Sequence, residues 1–151
     1  MQGKRTLLRE KIVEEINEDL EEISIDEKKL AAAHWSPADI VKRPAAVVMP
    51  EELESSYSNT LGGRDLVYPF RVFVTETLGN RGQTEVEKEL SDIEDYLVGV
   101  FNKRNAMKDR GIDGLIAVEP VPSIWGWVEG ERGWDRVASV MISCKIKIDS
   151  T

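Results

Sequence analysis

Hydrophobic positions recur at helical spacing near the start of the chain. Leu8, Ile12, Val13, Ile16, Leu20 and Ile23 fall on one stripe, which predicts an amphipathic helix from about Lys4 to Ile23. Ser24 and Glu27 read as a capping box for a short helical turn through Leu30-Ala31-Ala32-Ala33. Ser36-Pro37-Ala38-Asp39 is a further start signal, ended by Pro44. The apolar run Ala45 to Met49, closed by Pro50, predicts a buried strand, and the polar stretch Glu51 to Asp65 predicts a loop. Val67 to Thr75 then alternates, with Tyr68, Phe70, Val72 and Val74 on one face. Pro69 is expected near a strand start or on an edge.

A second helical stripe follows a turn at Gly79-Asn80-Arg81-Gly82. Thr84 and Glu87 read as its capping box, and Val86, Leu90, Ile93, Leu97, Val100 and Phe101 as its apolar face, to about Lys103. Leu115 to Val121 predicts a strand limited by Pro120 and Pro122. Ser123 to Trp134 predicts a connection that projects from the sheet. Arg136 to Ile148 alternates throughout, which predicts a long strand with Ala138, Val140, Ile142, Cys144, Ile146 and Ile148 on its one buried face. The expected fold class is α/β in the α+β sense: a mostly antiparallel sheet with two long amphipathic helices packed on one face. The other face carries Arg71, Thr75, Ser143, Lys145 and Lys147, so part of it is expected to be wet.

A chain of 151 residues fits one domain, here 1–151, with an N-terminal helical segment 1–43 and an α/β body 44–151. With 41% hydrophobic and 32% charged residues it reads as globular. The lone Cys144 suits a reducing compartment, and no apolar run is long enough to span a membrane, so a soluble intracellular protein is expected. Net charge is −8, which argues against a general nucleic-acid binder. An acidic body either keeps the protein soluble or repels DNA that must slide past it.

Catalytic chemistry is thinly provided. His34 is the one histidine, and no nucleophile motif lies near it. One histidine and one cysteine do not build the usual transition-metal sets, and no phosphate-binding glycine motif occurs. No catalytic residue, cofactor or metal is therefore assigned.

Two features break local rules. The first helix carries Lys4, Arg5 and Arg9 at its N-terminal end and Glu18, Asp19, Glu21 and Glu22 at its C-terminal end, against the helix dipole. Either an oppositely charged neighbouring subunit compensates, or the helix is exposed and tolerates the cost. Trp125, Trp127 and Trp134 lie within ten residues among Gly126, Gly130 and Gly133. They are either an interface hot spot or a lid on the core.

The order of these elements resembles the tail-terminator (tail-completion) proteins of long-tailed bacteriophages. The resemblance is carried by the amphipathic helix Leu8 to Ile23, the strand ending Val47-Val48-Met49-Pro50, and the extended segment Tyr68-Pro69-Phe70-Arg71-Val72-Phe73-Val74. The helix Val86 to Phe101, the Trp/Gly-rich connection and the closing strand from Arg136 to Ile142 complete it. It implies a structural subunit without catalytic residues, forming a ring, usually a hexamer, at the head-proximal end of the tail in the virion. Assembly in the host cytoplasm is implied too. The implied partners are further copies of the chain, the tail tube protein and a neck or head-completion protein. Double-stranded DNA would pass through without specific binding, and no membrane is involved. A head-closure or connector subunit is the alternative, and a small-molecule-binding α/β domain the third.

Overall fold

The computed structural model describes residues 3–24, 27, 29–51, 54–57, 64–103, 106–130 and 133–148. Among the described residues are two helices and seven strands: α1 Lys4–Glu22, β1 Ala32–His34, β2 Ala45–Pro50, β3 Glu54–Tyr57, β4 Arg64–Thr77, α2 Gln83–Phe101, β5 Leu115–Pro122, β6 Gly126–Gly130 and β7 Gly133–Ile148. Short 3-10 turns occur at Pro37–Asp39 and Lys108–Arg110. The fold is α+β, built on one mixed, mostly antiparallel sheet.

Two long strands form its spine. β4 and β7 pair from Arg64 opposite Ile148 to Thr77 opposite Asp135. β2 and β3 lie in line along the outer side of β4, and β5 and β6 lie in line along the outer side of β7. β1 adds to β2 in parallel, the one such pair among the described residues. Alternation fixes the faces: Phe70, Val72 and Val74 of β4 and Ala138, Val140, Ile142 and Cys144 of β7 are fully buried beneath the helices. α1 meets them with Leu8, Ile12, Ile16 and Leu20, and α2 with the whole expected stripe from Val86 to Phe101. Burial in this layer pushes the Cys144 thiol up to about 12, so it stays protonated and behaves as a small apolar side chain.

Several expectations need correction. The segment 1–43 is not wholly helical, because Ala32–His34 is a strand in register with Ala45–Val47. Parallel pairing to a buried strand overrides the helical propensity of the alanines. Of the Ser24 turn, residues 25, 26 and 28 lie outside the described set; Glu27 N donates to Ser24 O at 3.0 Å. Ser36 does cap its turn, its Oγ accepting from Ala38 N at 3.3 Å. Glu51 to Asp65 is not all loop: Glu54–Tyr57 pairs with Arg64 to Val67. α2 begins after Gly82 without a side-chain cap, so Thr84 and Glu87 form no capping box. Glu87 instead accepts from Arg136 Nε at 2.8 Å.

Proline placement is also informative. Pro69 sits in the central strand β4, where the neighbour changes from β2 to β3. Its carbonyl accepts from Glu51 N at 2.9 Å. A residue in a strand turns its nitrogen and its carbonyl to the same side. The missing donor of Pro69 therefore faces Glu51 at the join and not β7, so no bond of the long β4–β7 ladder is lost. Pro120 does not limit β5 but lies within it, opposite Ile142, whereas Pro122, opposite Val140, is its last residue, as expected.

Candidate interaction surface

The misplaced charges of α1 find partners in their own chain. Arg9 Nε donates to Val48 O at 2.7 Å, its Nη2 to Trp35 O, and its guanidinium lies 3.9 Å from the centre of the Trp35 ring. Lys4 Nζ donates to Asp113 O at 3.2 Å. At the other end, Arg110 bonds Glu15 and Glu18 at 2.5 Å each. These hydrogen bonds, Glu18 first, raise the pKa of Arg110, and that of Glu18 is lowered in return. Asp19 accepts from Tyr96 Oη at 2.5 Å and meets Lys103 Nζ at 3.5 Å. Burial, reinforced by that carboxylate, raises the Tyr96 pKa. Arg5 and Glu22 are exposed. Arg110, Tyr96 and Lys103 are far away in sequence, so no local rule could have named them.

The tryptophans divide. Trp125 packs against the core and donates from Nε1 to Glu94 at 2.7 Å. Trp127 and Trp134 are 41% and 50% exposed, their rings edge to face at 6.5 Å. Arg136 joins the groups: its guanidinium lies 5.2 Å from the Trp125 ring and 4.6 Å from that of Trp127, and Nη1 donates to Gly126 O at 2.7 Å. Such contacts are worth about 0.5–1 kcal/mol at exposed sites. Their effect here is to fix the aromatic surface in one arrangement. The expected connection from Ser123 to Trp134 is thus not separate from the sheet. Its second half is a hairpin in register with β7, from Gly126 opposite Val137 to Gly130 opposite Gly133. The two runs Gly126-Trp127-Val128-Glu129-Gly130 and Gly133-Trp134, two residues apart, carry that signal in the sequence.

The sheet face away from the helices is wet in part, as at the exposed Lys147, and dry elsewhere. Ser139 is fully buried, its hydroxyl donating to Ile124 O at 2.6 Å. The chain between β1 and β2 folds over this face and leaves a concavity of about 360 Å³ floored by Val47, Met49, Phe73 and Val137. At one end Asp135 accepts from Thr77 Oγ1 at 2.8 Å and meets Arg43 at 3.5 Å. These polar groups already serve one another, so the concavity offers mainly apolar contact. His34 is half-buried in β1, opposite Val47. No group of His, Cys, Asp and Glu suited to holding a metal occurs among the described residues.

One carboxylate is tuned. Glu76, near the end of β4, is buried beside Glu89 and Arg81. Burial first, and then a hydrogen bond with the Glu89 carboxylate, push it up to about 7, against the pull of Thr77 N–H and Arg81. Between the ordinary carboxylate range and pH 7 the native state keeps a proton that the unfolded chain has released. The associated stability is present in acid and lost as pH rises through that window. Glu76→Gln keeps the shape without the charge. It is expected to be more stable than wild type at pH 8 by about 1–3 kcal/mol and indistinguishable near pH 4. Urea unfolding at both pH values checks this; equal stability at pH 8 would contradict it.

No protein-family model matches the chain, and none of the curated proteins compared with it is significantly similar.

Proposed function

We propose that this chain is a structural virion subunit: a ring-forming tail terminator that closes a phage tail tube and joins it to the neck. The observation that carries the reading is the apolar margin of the sheet. Trp127, Trp134, Val128, Val121 and Ile124 are between 41% and 70% exposed along β5, β6, the connection between them and the start of β7. Exposed apolar residues gathered along one margin mark protein contact sites, and tryptophan is enriched at binding hot spots. The α+β order of elements and the resemblance drawn from it supply the particular assembly. The formal charge of −8 fits a ring through which DNA passes without being held.

The test is direct imaging. Purified protein, alone and mixed with tail tubes, is expected to give closed rings, most simply of six subunits, in electron micrographs. The inner wall should be acidic or neutral. A protein that remains monomeric with and without tubes, or a ring lined by a continuous Lys/Arg belt, would sink the reading. In the same preparations, Trp127→Ala and Trp134→Ala should fold normally by circular dichroism. Each should weaken assembly by about 2 kcal/mol.

A further inference from the structure

Sheet margins are templates for further strands unless something blocks them. On the β1–β2 side the blocking groups come from α1. The Asn17 side-chain amide donates to Ala33 O at 3.0 Å and accepts from Ala33 N at 2.8 Å, occupying both outward groups of that residue. Arg9 takes the carbonyl of Val48 in the same way. β3 is only four residues of polar sequence, Glu54-Ser55-Ser56-Tyr57.

The opposite margin is guarded over only half its length. Leu78 N donates to Trp134 O at 3.2 Å, so even-numbered residues of β7 turn their backbone groups toward β4. Ser123 N bonds Ser139 O and Lys147 N bonds Gly114 O, so odd-numbered ones turn toward β5 and β6. In an antiparallel ladder, residues opposite the even positions must turn their own groups outward. In β5 these include Pro120 and Pro122, opposite Ile142 and Val140, which have no N–H to offer. In β6 they are Trp127 and Glu129, opposite Arg136 and Trp134, and neither is a proline. Trp127, Val128 and Glu129 are all exposed.

We propose that β6 is a docking edge for the β6 strand of a second copy of this chain, paired antiparallel about a two-fold axis through Val128. Such a pairing needs outward-facing residues opposite one another. Trp127 falls opposite Glu129 of the second copy, and Glu129 opposite its Trp127, so the register completes itself. Charge favours it too. The two Glu129 carboxylates are not opposed, and each arrives beside a Trp127 ring that already stacks with the Arg136 guanidinium. Gly126 and Gly130 meet across the ends without side-chain crowding. This pairing takes Trp127 and Val128, which the ring reading also uses, so at β6 the two contacts exclude each other: a two-fold pair consumes its own edge, and the pair is the association of chains not yet in a ring.

Two variants of the full-length protein test this by sedimentation and non-reducing electrophoresis. Glu129→Pro removes an outward N–H and leaves the ladder to β7 intact. It should keep the wild-type circular dichroism spectrum and weaken self-association at least tenfold. In Val128→Cys the two introduced thiols meet at a non-hydrogen-bonded pair, where side chains approach most closely. That variant should oxidise in air to a covalent dimer, while the buried Cys144 stays inert. Wild-type protein that is strictly monomeric at high concentration overturns the proposal. Unchanged association of Glu129→Pro does so too. Loss of association without the Val128→Cys cross-link would show that β6 takes a different strand and would equally overturn the two-fold pairing.

Discussion

Gly114→Ala should destabilise the protein by about 2–4 kcal/mol, a large loss for the addition of one methyl group. Gly114 has φ +80°, a left-handed backbone that residues with a Cβ adopt only under strain. The space is also taken. A Cβ built there would lie 2.6 Å from Lys147 O, a backbone atom of the long strand β7 that has no rotamer to escape into. The same glycine accepts from Lys147 N at 2.8 Å, so moving it away breaks the bond that seats the start of β5. β5 has an irregularity between Leu115 and Ala117, and so enters the sheet just where this turn must be tight. Urea unfolding with wild type as reference measures the loss. A change below about 0.5 kcal/mol, the usual range for a neutral surface substitution, would show that β5 can re-seat itself.

Phe70→Ala should cost about 3–5 kcal/mol. Phe70 is fully buried on β4, between Pro50 of β2 and Ile142 of β7, on the face the helices cover. Its removal leaves a void ringed by elements that are each held in register elsewhere, so collapse is limited. Phe73, three residues on, supplies the control. It points to the other face, where it floors an open concavity and is only partly buried. Phe73→Ala is expected to cost less than half as much. Thermal unfolding of the two variants side by side decides this; equal losses would mean that both faces of β4 are cores.

The helices and the two long strands were legible because each buries one face, and burial leaves a period in the sequence. The stripe from Val86 to Phe101 and the alternation from Ala138 to Ile146 needed no knowledge of neighbours. Elements too short to show a period left no such trace. Ala32–His34 is a strand because β2 lies beside it, and Glu54–Tyr57 because β4 does. Pro120 and Pro122 were visible but ambiguous, since proline both ends strands and marks their edges. Only the neighbour on the inner side decides between those meanings. The tryptophans stood out by composition, yet their division into a packed Trp125 and an exposed Trp127 and Trp134 depends on Glu94 and Arg136, brought in by α2 and β7. The unfavourable order of charges on α1 pointed outward to a neighbour. Arg110, Tyr96 and Lys103 of the same chain answer much of it, at sequence separations that no local pattern spans.

The amide of Asn17 and the guanidinium of Arg9 have a consequence in the language of polymerisation. A unit with one reactive end stops at a pair, whereas a unit with two can add copies without limit. With α1 seated, strand addition is confined to the β6 end and the sheet is a monofunctional unit. Unseating α1 would free Ala33 and Val48 at the far margin and make the same sheet bifunctional. Partial unfolding at the N-terminus would then yield filaments rather than loose aggregates, and α1 would be the chain stopper that prevents them.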